Sequence, residues 1–460
     1  MKLLTTLYPH QQEAVEKLSK VKVGALYMEM GTGKTRTALE LIERRLRAGK
    51  INKVIWLCPC SVKVNLRRGI ARHAVIEDGL LEICGIETLS SSARENRRLR
   101  QITKTHRCFL VVDESILVKN AFAVRTSNII MLADACQYKL ILNGTPISRN
   151  EADLYAQWRI LDPRIFGYRS YWSFAANHLE VDETTGRIRN VLSVDYLTQK
   201  MAPYTYQILK SDCLNLPEKI YRSFWFSLTD EQLQHYAEVC DMFLSAVVLD
   251  SRYETTAIYR VLTALQLVSS GRRVLNTSPL DPITSEPFFE RPEDNPRLQA
   301  LLSTIDLYPD PNEKVIVWGR YNHEIEDIYQ ALMQQGKDVA LFYGALSQKR
   351  RQESLDRFAA DTRFLVGNKN CAGFGLDLQY SHYAVYYDDD WDWGRRIQSE
   401  DRIHRIGQTH NPVIIDLMAD STIDERIAKS NARKENLADS FKANLRKKNI
   451  DMVAWLEGKD

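Results

Sequence analysis

Short apolar runs alternate with amphipathic stretches along much of this chain. The run Val23–Met28 predicts a buried strand, and apolar residues at helical spacing over 38–46 predict a helix closed by Gly49. Residues 109–112 and 139–142 predict two further strands of the same kind. Buried strands that alternate with amphipathic helices are typical of a parallel α/β sheet.

The pattern returns after residue 296, with strands predicted at 315–318, 339–342, 364–366, 383–387 and 413–417. Between the two sets, helical patterning and a proline-rich stretch indicate an insertion and a linker. A capping pattern at Thr422 to Glu425 opens a charged helix to about Leu445, which we expect to brace the two lobes. We therefore predict an α/β fold of two lobes, 1–205 and 296–421, with a helical insertion at 206–295 and a terminal helix within 422–460.

Composition limits the class of protein. With 44% hydrophobic and 26% charged residues among 460, the chain is an ordinary globular one, and its net charge of +3 excludes a protein that is basic throughout. Eight scattered cysteines fit neither a zinc site nor a disulfide framework. We find no signal sequence and no membrane span, so we expect a cytoplasmic protein.

A glycine-containing loop joins the first predicted strand to its helix. Backbone amides of such a loop turn toward phosphates, Lys34 reaches the β and γ groups, and Thr35 provides a ligand for Mg²⁺. Met28 occupies the position where the strict pattern has a glycine six residues before the lysine. The loop predicts an ATP-binding segment comprising Met30, Gly31, Thr32, Gly33, Lys34 and Thr35.

Two carboxylates follow the strand predicted at 109–112. Ligands of open α/β sheets bind at the carboxyl ends of the strands, where Asp113 and Glu114 would lie. Asp113 would hold Mg²⁺, and Glu114 would orient or deprotonate the attacking water. The strand at 139–142 runs into Asn143 to Pro146, a turn that suits a loop sensing the γ-phosphate.

Two arginines lie near the end of the second lobe, within the segment QSEDRIHRIGQ at 398–408. Arg402 and Arg405 are three residues apart, a spacing that puts both on one helical face and lets them meet one anion. An arginine so placed stabilises the charge of a phosphoryl-transfer transition state. Because the second lobe has no phosphate loop of its own, we expect these arginines to complete the first lobe's site in the cleft between the lobes.

These motifs together resemble helicase superfamily two, and within it the Swi/Snf-type translocases of double-stranded DNA. The resemblance covers LYPHQ at 7–11, MEMGTGKT at 28–35, LCPCS at 57–61, VVDESILVKN at 111–120 and LNGTPI at 142–147. It continues with KVIVWGRY at 314–321, FYGALSQKRR at 342–351, CAGFGLDL at 371–378, DDDWDW at 388–393 and QSEDRIHRIGQ. It implies two RecA-like lobes, Gln11 as the residue that reads adenine, and nucleotide contacts from Gly375 and Gln398.

Some positions depart from the family pattern. Ile116 stands where a histidine is usual, which puts the coupling between DNA binding and ATP turnover in question. Lys369 replaces a threonine and Asp377 an asparagine. Trp393 replaces a proline, and Arg149 an asparagine.

The resemblance implies an ATP- and Mg²⁺-dependent motor that moves along double-stranded DNA as a monomer, alone or with replication, repair or recombination proteins. Alternatives are a strand-separating helicase, a nucleotide-gated binding switch with little turnover, and an RNA remodeller, which QSEDRIHRIGQ disfavours. The candidates for gripping the DNA backbone are Lys63, Arg320, Lys369 and the loop near Gly344.

Overall fold

Two compact units divide the chain, Met1–Asn215 and Leu216–Asp460. The computed structural model describes residues 1–144, 147, 151–182, 188–249, 254–276, 281–369, 376–391, 393–433, 437, 440, 441, 444 and 451–459. Each unit contains one six-stranded parallel sheet. The expected class, α/β with two RecA-like parallel-sheet lobes and helical insertions, is therefore confirmed.

The sheet of the amino-terminal unit has the strand order β6-β1-β5-β4-β2-β3, and its strands are β1 (Val23–Met28), β2 (Lys53–Cys58), β3 (Leu81–Gly85), β4 (Cys108–Asp113), β5 (Tyr138–Asn143) and β6 (Thr205–Ile208). Along β1, Ala25 and Tyr27 belong to one apolar layer, while Leu26 and Met28 belong to the other. Burial on both faces explains why the central strands appear in the sequence as unbroken apolar runs.

The register of this sheet brings the ends of three strands to one level. Asp113 at the end of β4 pairs with Leu142 of β5, and Asn143 pairs with Tyr27 of β1.

The α-helices of this unit are Pro9–Leu18, Lys34–Arg47, Lys63–His73, Thr88–Ser91, Ala93–Thr105, Val124–Asp134, Leu154–Leu161, Pro163–Phe166, Tyr171–His178, Val194–Met201 and Lys210–Cys213.

The sheet of the carboxyl-terminal unit has the order β7-β12-β11-β8-β10-β9, and its strands are β7 (Ile220–Phe226), β8 (Val315–Gly319), β9 (Val339–Phe342), β10 (Phe364–Asn368), β11 (Tyr383–Tyr386) and β12 (Val413–Ala419). Its helices are Asp230–Leu249, Glu254–Ser269, Pro296–Leu307, Asn322–Gln334, Gln348–Ala359, Trp393–Glu400, Ile423–Ala432 and Met452–Leu456. Among the described helices, none is long and apolar enough to cross a membrane.

The terminal segment packs within its own unit. Ile427, Phe441 and Trp455 share an apolar cluster with Phe243 and Ile258 of the helical insertion. Thr422 caps the helix Ile423–Ala432, its side chain accepting a hydrogen bond from the backbone nitrogen two residues on. The predicted continuation to residue 445 lies partly outside the described residues. The described part of the terminal segment thus packs against the helical insertion. The bracing of the two lobes by this segment remains a prediction.

The boundary predicted at residue 206 needs correction. Thr205–Ile208 is the edge strand β6 of the first sheet, where it pairs with Ala25 to Met28. Ile220–Phe226 is the edge strand β7 of the second sheet, where it pairs with Val413–Ala419. The helical insertion proper therefore begins at Asp230, and the division between the units falls after Asn215.

Candidate nucleotide site and arginine segment

The loop after β1 has the backbone of a phosphate cradle. Gly31 and Gly33 have φ values of 83° and 92°, in the left-handed region that glycine enters without a steric cost. Gly33 caps the helix Lys34–Arg47, so the unsatisfied amides of the first helical turn face the loop. Lys34 Nζ donates to Met28 O at 2.8 Å. The carbonyl of Met28, where the strict pattern has a glycine, thus holds the lysine over its own loop.

Gln11 packs directly against this loop. Its Nε2 donates to Thr32 O at 3.0 Å, and its Oε1 accepts from Tyr8 N at 3.1 Å. A Cβ atom placed on Gly33 would lie 2.1 Å from Gln11 Nε2, so only glycine fits there. Gln11 therefore positions the loop, and its contact with adenine remains a prediction.

A second side chain on this helix, His10, was missed from the sequence. His10 Nε2 lies 2.8 Å from Thr32 O, the carbonyl that Gln11 also contacts. The only signal available was its place next to Gln11 in LYPHQ. Two buried side chains from one helix thus fix the carbonyl of the residue before Gly33.

The acids Asp113 and Glu114 lie where the sheet register predicts, at the end of β4. Burial and the charge of Glu114 raise the pKa of Asp113 to about 7, and the ammonium of Lys34 opposes that rise. Asp113 accepts from Trp56 Nε1 at 3.4 Å and from Glu114 N at 3.1 Å. Glu114 has a φ of 51°, uncommon for a residue with a side chain. The paired acids thus lie near Lys34 with a strained backbone between them.

A polar contact behind the acids was not predicted from the sequence. Ser115 Oγ donates to Gln157 Oε1 at 2.6 Å, and Gln157 Nε2 donates to Asp153 O at 3.0 Å. Ser115 and Gln157 are fully buried. This contact ties the turn after β4 to the helix Leu154–Leu161, beside Ile116. Within the loop after β5, Thr145, Pro146, Arg149 and Asn150 lie outside the described residues.

Residues 398–408, which we call the arginine segment, are not helical at Arg402 and Arg405. The prediction that both arginines lie on one helical face is therefore wrong. The helix Trp393–Glu400 ends two residues before Arg402, and residues 401–407 form turns and bends. Gly407 has a φ of 99°, in the left-handed region that favours glycine. Arg402 is buried, whereas the Arg405 side chain is 25% exposed. The two guanidinium groups therefore lie in different environments.

Arg405 is held by a carboxylate of its own unit. Its Nη1 lies 2.5 Å from Asp377 Oδ1 and donates to Leu376 O at 3.1 Å. Gln408 is structural, because its Nε2 donates to Ser381 O at 3.0 Å. Gln398 lies partly buried within the helix Trp393–Glu400, and Gly375 lies outside the described residues.

Of the four residues expected to grip DNA, Lys369 is buried, which counts against its predicted role, and Arg320 is partly buried. Lys369 is 2% exposed, and its Nζ lies 3.6 Å from Asp388 Oδ1. The Arg320 side chain is 14% exposed and lies 3.6 Å from Asp390 Oδ1. Asp388 and Asp390 are well separated in sequence from Lys369 and Arg320, and they approach these cations only in the folded chain. Lys63 is partly exposed and Gly344 is exposed, so both stay available as candidates.

Three family models match this chain. The type III restriction enzyme res subunit matches residues 4–62, the SNF2-related domain matches 71–280, and the helicase conserved C-terminal domain matches 297–407. Together with two RecA-like units, these matches define a helicase-like protein of superfamily two. Within that class, residues 71–280 of the chain carry the SNF2-related domain.

Individual relatives are distant. An uncharacterized ATP-dependent helicase of Mycoplasma pneumoniae is 24% identical over 459 residues, 95% of this chain and 42% of that protein. The SWI/SNF-related matrix-associated actin-dependent regulator of chromatin subfamily A member 1 of Mus musculus is 22% identical over 332 residues, 70% of this chain and 30% of that protein. This chain thus spans less than half the length of either relative.

Among solved structures, the Sulfolobus solfataricus SWI2/SNF2 ATPase core in complex with dsDNA is 21% identical. The match covers 96% of this chain and 93% of that one, with a TM-score of 0.41.

Proposed function

We propose that this chain is a DNA-dependent ATPase that translocates along double-stranded DNA. The observation that carries the proposal is the meeting of Lys34 with Asp113 and Glu114 at the carboxyl edge of one sheet, in a chain that carries the SNF2-related domain.

The residues at this edge fit a magnesium nucleotide. The positive φ of Gly31 and Gly33 lets the backbone amides of the loop turn toward phosphates, and Lys34 supplies the positive charge for the β and γ groups. Thr35 and Asp113 would hold Mg²⁺, which neutralises phosphate charge when bound. The raised pKa of Asp113 fits this role, because a cation beside the carboxylate would stabilise its ionised form. Glu114 would orient the attacking water.

The remaining contacts would come from outside the phosphate loop. Gln11 would contact the base, and Gly375 and Gln398 of the second unit would contact the nucleotide. Arg402 and Arg405 would stabilise the charge that spreads over the transferred phosphoryl group. Closure of the two units would bring them to the site, and reopening after hydrolysis would advance the protein along the duplex.

The grip on DNA would be sequence-independent. Lys63 and the exposed loop at Gly344 are the candidates that the structure leaves at the surface. Contacts to backbone phosphates release counterions, so log affinity should fall with log salt at a slope of about −0.9 per neutralised phosphate. We propose a monomeric motor that serves replication, repair or recombination, with partners from those processes.

ATPase rates measured with duplex DNA, single-stranded DNA, RNA and no nucleic acid test this function. We expect stimulation by duplex DNA, displacement of a triplex-forming strand, and no separation of a duplex. Lys34→Ala is the inactive control, and Glu114→Gln should bind ATP without hydrolysing it. Stimulation by RNA alone, or by nothing, would overturn the proposal.

A second candidate is a nucleotide-gated binding switch with little turnover. Ile116 favours it, because its side chain cannot hydrogen bond where the family has a histidine. A switch would change its DNA affinity between ATP and ADP while its ATPase rate stayed unstimulated. Strand separation in the same assays would instead indicate a helicase that unwinds DNA.

A further inference from the structure

One connecting segment contacts the phosphate loop at its start and the arginine segment at its end. Strand β6 ends at Ile208 and strand β7 begins at Ile220. We call residues 208–220 the strap. Glu29 of the phosphate loop holds its first part, because Glu29 N donates to Ile208 O at 3.1 Å and Glu29 Oε2 accepts from Lys210 N at 2.7 Å. Thr32 Oγ1 donates to Glu29 O at 2.7 Å, which ties Glu29 to the rest of the phosphate loop. Through Glu29, the first part of the strap is therefore bonded to this loop.

The other end of the strap lies along the arginine segment. His404, between the two arginines, has its Nε2 2.9 Å from Pro217 O. Lys219 Nζ lies 2.7 Å from Glu400 Oε2, two residues before Arg402. Two further hydrogen bonds follow, from Asn411 Nδ2 to Glu218 O at 2.9 Å and from Ile220 N to Pro412 O at 2.8 Å.

The ion pair at this end is largely buried. Lys219 has a side chain 16% exposed, and that of Glu400 is 1% exposed. Burial raises the pKa of Glu400, but Arg396 and Lys219 outweigh it and hold the pKa below its usual value. Arg396 Nε and Tyr221 OH also donate to this carboxylate, each at 2.8 Å. Removing Lys219 therefore takes one partner from a buried charge, a costly change.

We propose that the strap couples the phosphate loop to the arginine segment, with Glu29, Lys219 and His404 as positioning residues. This inference rests on the proposed function of the two segments. A change in the loop would pull on Glu29 and hence on Lys210. The strap would pass that displacement to His404 and Glu400, because only eleven peptide bonds separate Ile208 from Lys219. The arginines would then respond to nucleotide in the loop.

Hydrolysis by variants of the second contact tests the proposal. For Lys219→Met we expect kcat to fall about tenfold, because small misplacements of catalytic groups are costly, with KM for ATP little changed. Lys219→Arg should restore most of the rate. Lys337→Met is the matched control, because Lys337 pairs with Asp306 at 2.9 Å and has a side chain 18% exposed. Equal kcat values in Lys219→Met and wild type would overturn the proposal.

Lengthening the strap tests it without removing any contact. Two glycines inserted between Asn215 and Leu216 fall in an irregular stretch where Asn215 is exposed. The added loop entropy is small, because the cost of closing a loop grows only slowly with its length. We expect kcat to fall about tenfold, as in Lys219→Met, since a slack strap cannot pass on a displacement. An unchanged kcat would show that the segment is a passive connection.

Hydrogen exchange separates a failure of this inference from a failure of the proposed function. In the wild type, a non-hydrolysable ATP analogue should protect amides in 208–220 and 400–412. The insertion and Glu29→Ala, which removes the acceptor of the Lys210 N–H, should remove most of the protection at 400–412. Protection that persists in both variants would overturn the strap, whether or not DNA stimulates hydrolysis. A wild type without DNA stimulation would overturn only the proposed function.

Discussion

Arg405 and Asp377 form a close ion pair, with Nη1 of the arginine 2.5 Å from Oδ1 of the carboxylate. Arg405 is one of the two arginines proposed to meet the γ-phosphate, and its partner Asp377 stands where an asparagine is usual in the family. The arginine must therefore exchange one anionic partner for another when it engages nucleotide. The pair is partly exposed, with side chains 25% and 29% accessible, so its attraction is modest.

Replacing Asp377 by asparagine should speed basal ATP hydrolysis. The variant keeps the size of the side chain but loses the charge that competes for Arg405. An exposed ion pair is worth about 0.2 to 1 kcal/mol, so we expect kcat without DNA to rise by up to about fivefold. Steady-state ATPase assays measure this directly. A fall in kcat would show that the carboxylate holds the arginine in its productive position instead.

Removing the arginine itself should cost far more. For Arg405→Ala we expect kcat to fall at least about a hundredfold with ATP affinity largely kept, because the group acts on the transition state. Arg291→Ala is the control, since Arg291 is a surface arginine of the same unit paired with Asp294. Single-turnover hydrolysis and nucleotide-binding titrations separate the two effects. Normal turnover in Arg405→Ala would rule out Arg405 as a group that stabilises the transition state.

Sequence pattern predicted most inner strands but not β2, and it missed every edge strand except β9. Strands β1 and β4 are buried on both faces and appear as continuous apolar runs. The edge strand β7 is mostly exposed although Ile220–Phe226 is rich in apolar and aromatic residues, and its partner Val413–Ala419 lies far along the chain. Long-range pairing of this kind is invisible to local periodicity.

The candidate site also contains residues that local sequence pattern predicted and residues whose surroundings it did not predict. The phosphate loop and Asp113 follow directly from local pattern, because strand ends and glycines are written in consecutive residues. The burial of Lys369 was not predictable, because its partner Asp388 is brought near only by the pairing of distant strands. The turn at Arg405 was also hidden, since a three-residue spacing is compatible with a helix.

Adding a methyl group to Gly33 should disable nucleotide binding. In Gly33→Ala the new Cβ would lie 2.1 Å from Gln11 Nε2, in a backbone of positive φ. Gly49→Ala is the matched control, because Gly49 also has positive φ but meets nothing within 4 Å. We expect both variants to lose about 1 kcal/mol of stability and only Gly33→Ala to lose nucleotide affinity. Equal affinity in the two variants would contradict the role given to the contact with Gln11.

The buried carboxylate Asp388 should make the stability of the second unit depend on pH. Burial and the charge of Glu324 raise its pKa from 3.8 to about 8, although Lys369, Arg320 and Arg297 act to lower it. Below pH 4 the carboxyl is protonated in both folded and unfolded chains and costs nothing. As the pH rises toward 8, only the unfolded chain gains by ionising, so stability falls.

Asp388→Asn removes this titration and should flatten the pH dependence. The difference in melting temperature between variant and wild type should shift in favour of the variant from pH 5 to pH 8, and level off above that. Tryptophan fluorescence follows the transition, because Trp318 is buried in the second sheet. Any constant cost of the buried amide appears at every pH and leaves the slope unaffected. Asp306→Asn, at an exposed position, is the control. Parallel curves for Asp388→Asn and wild type would show that Asp388 is ionised throughout this range, held by its pair with Lys369.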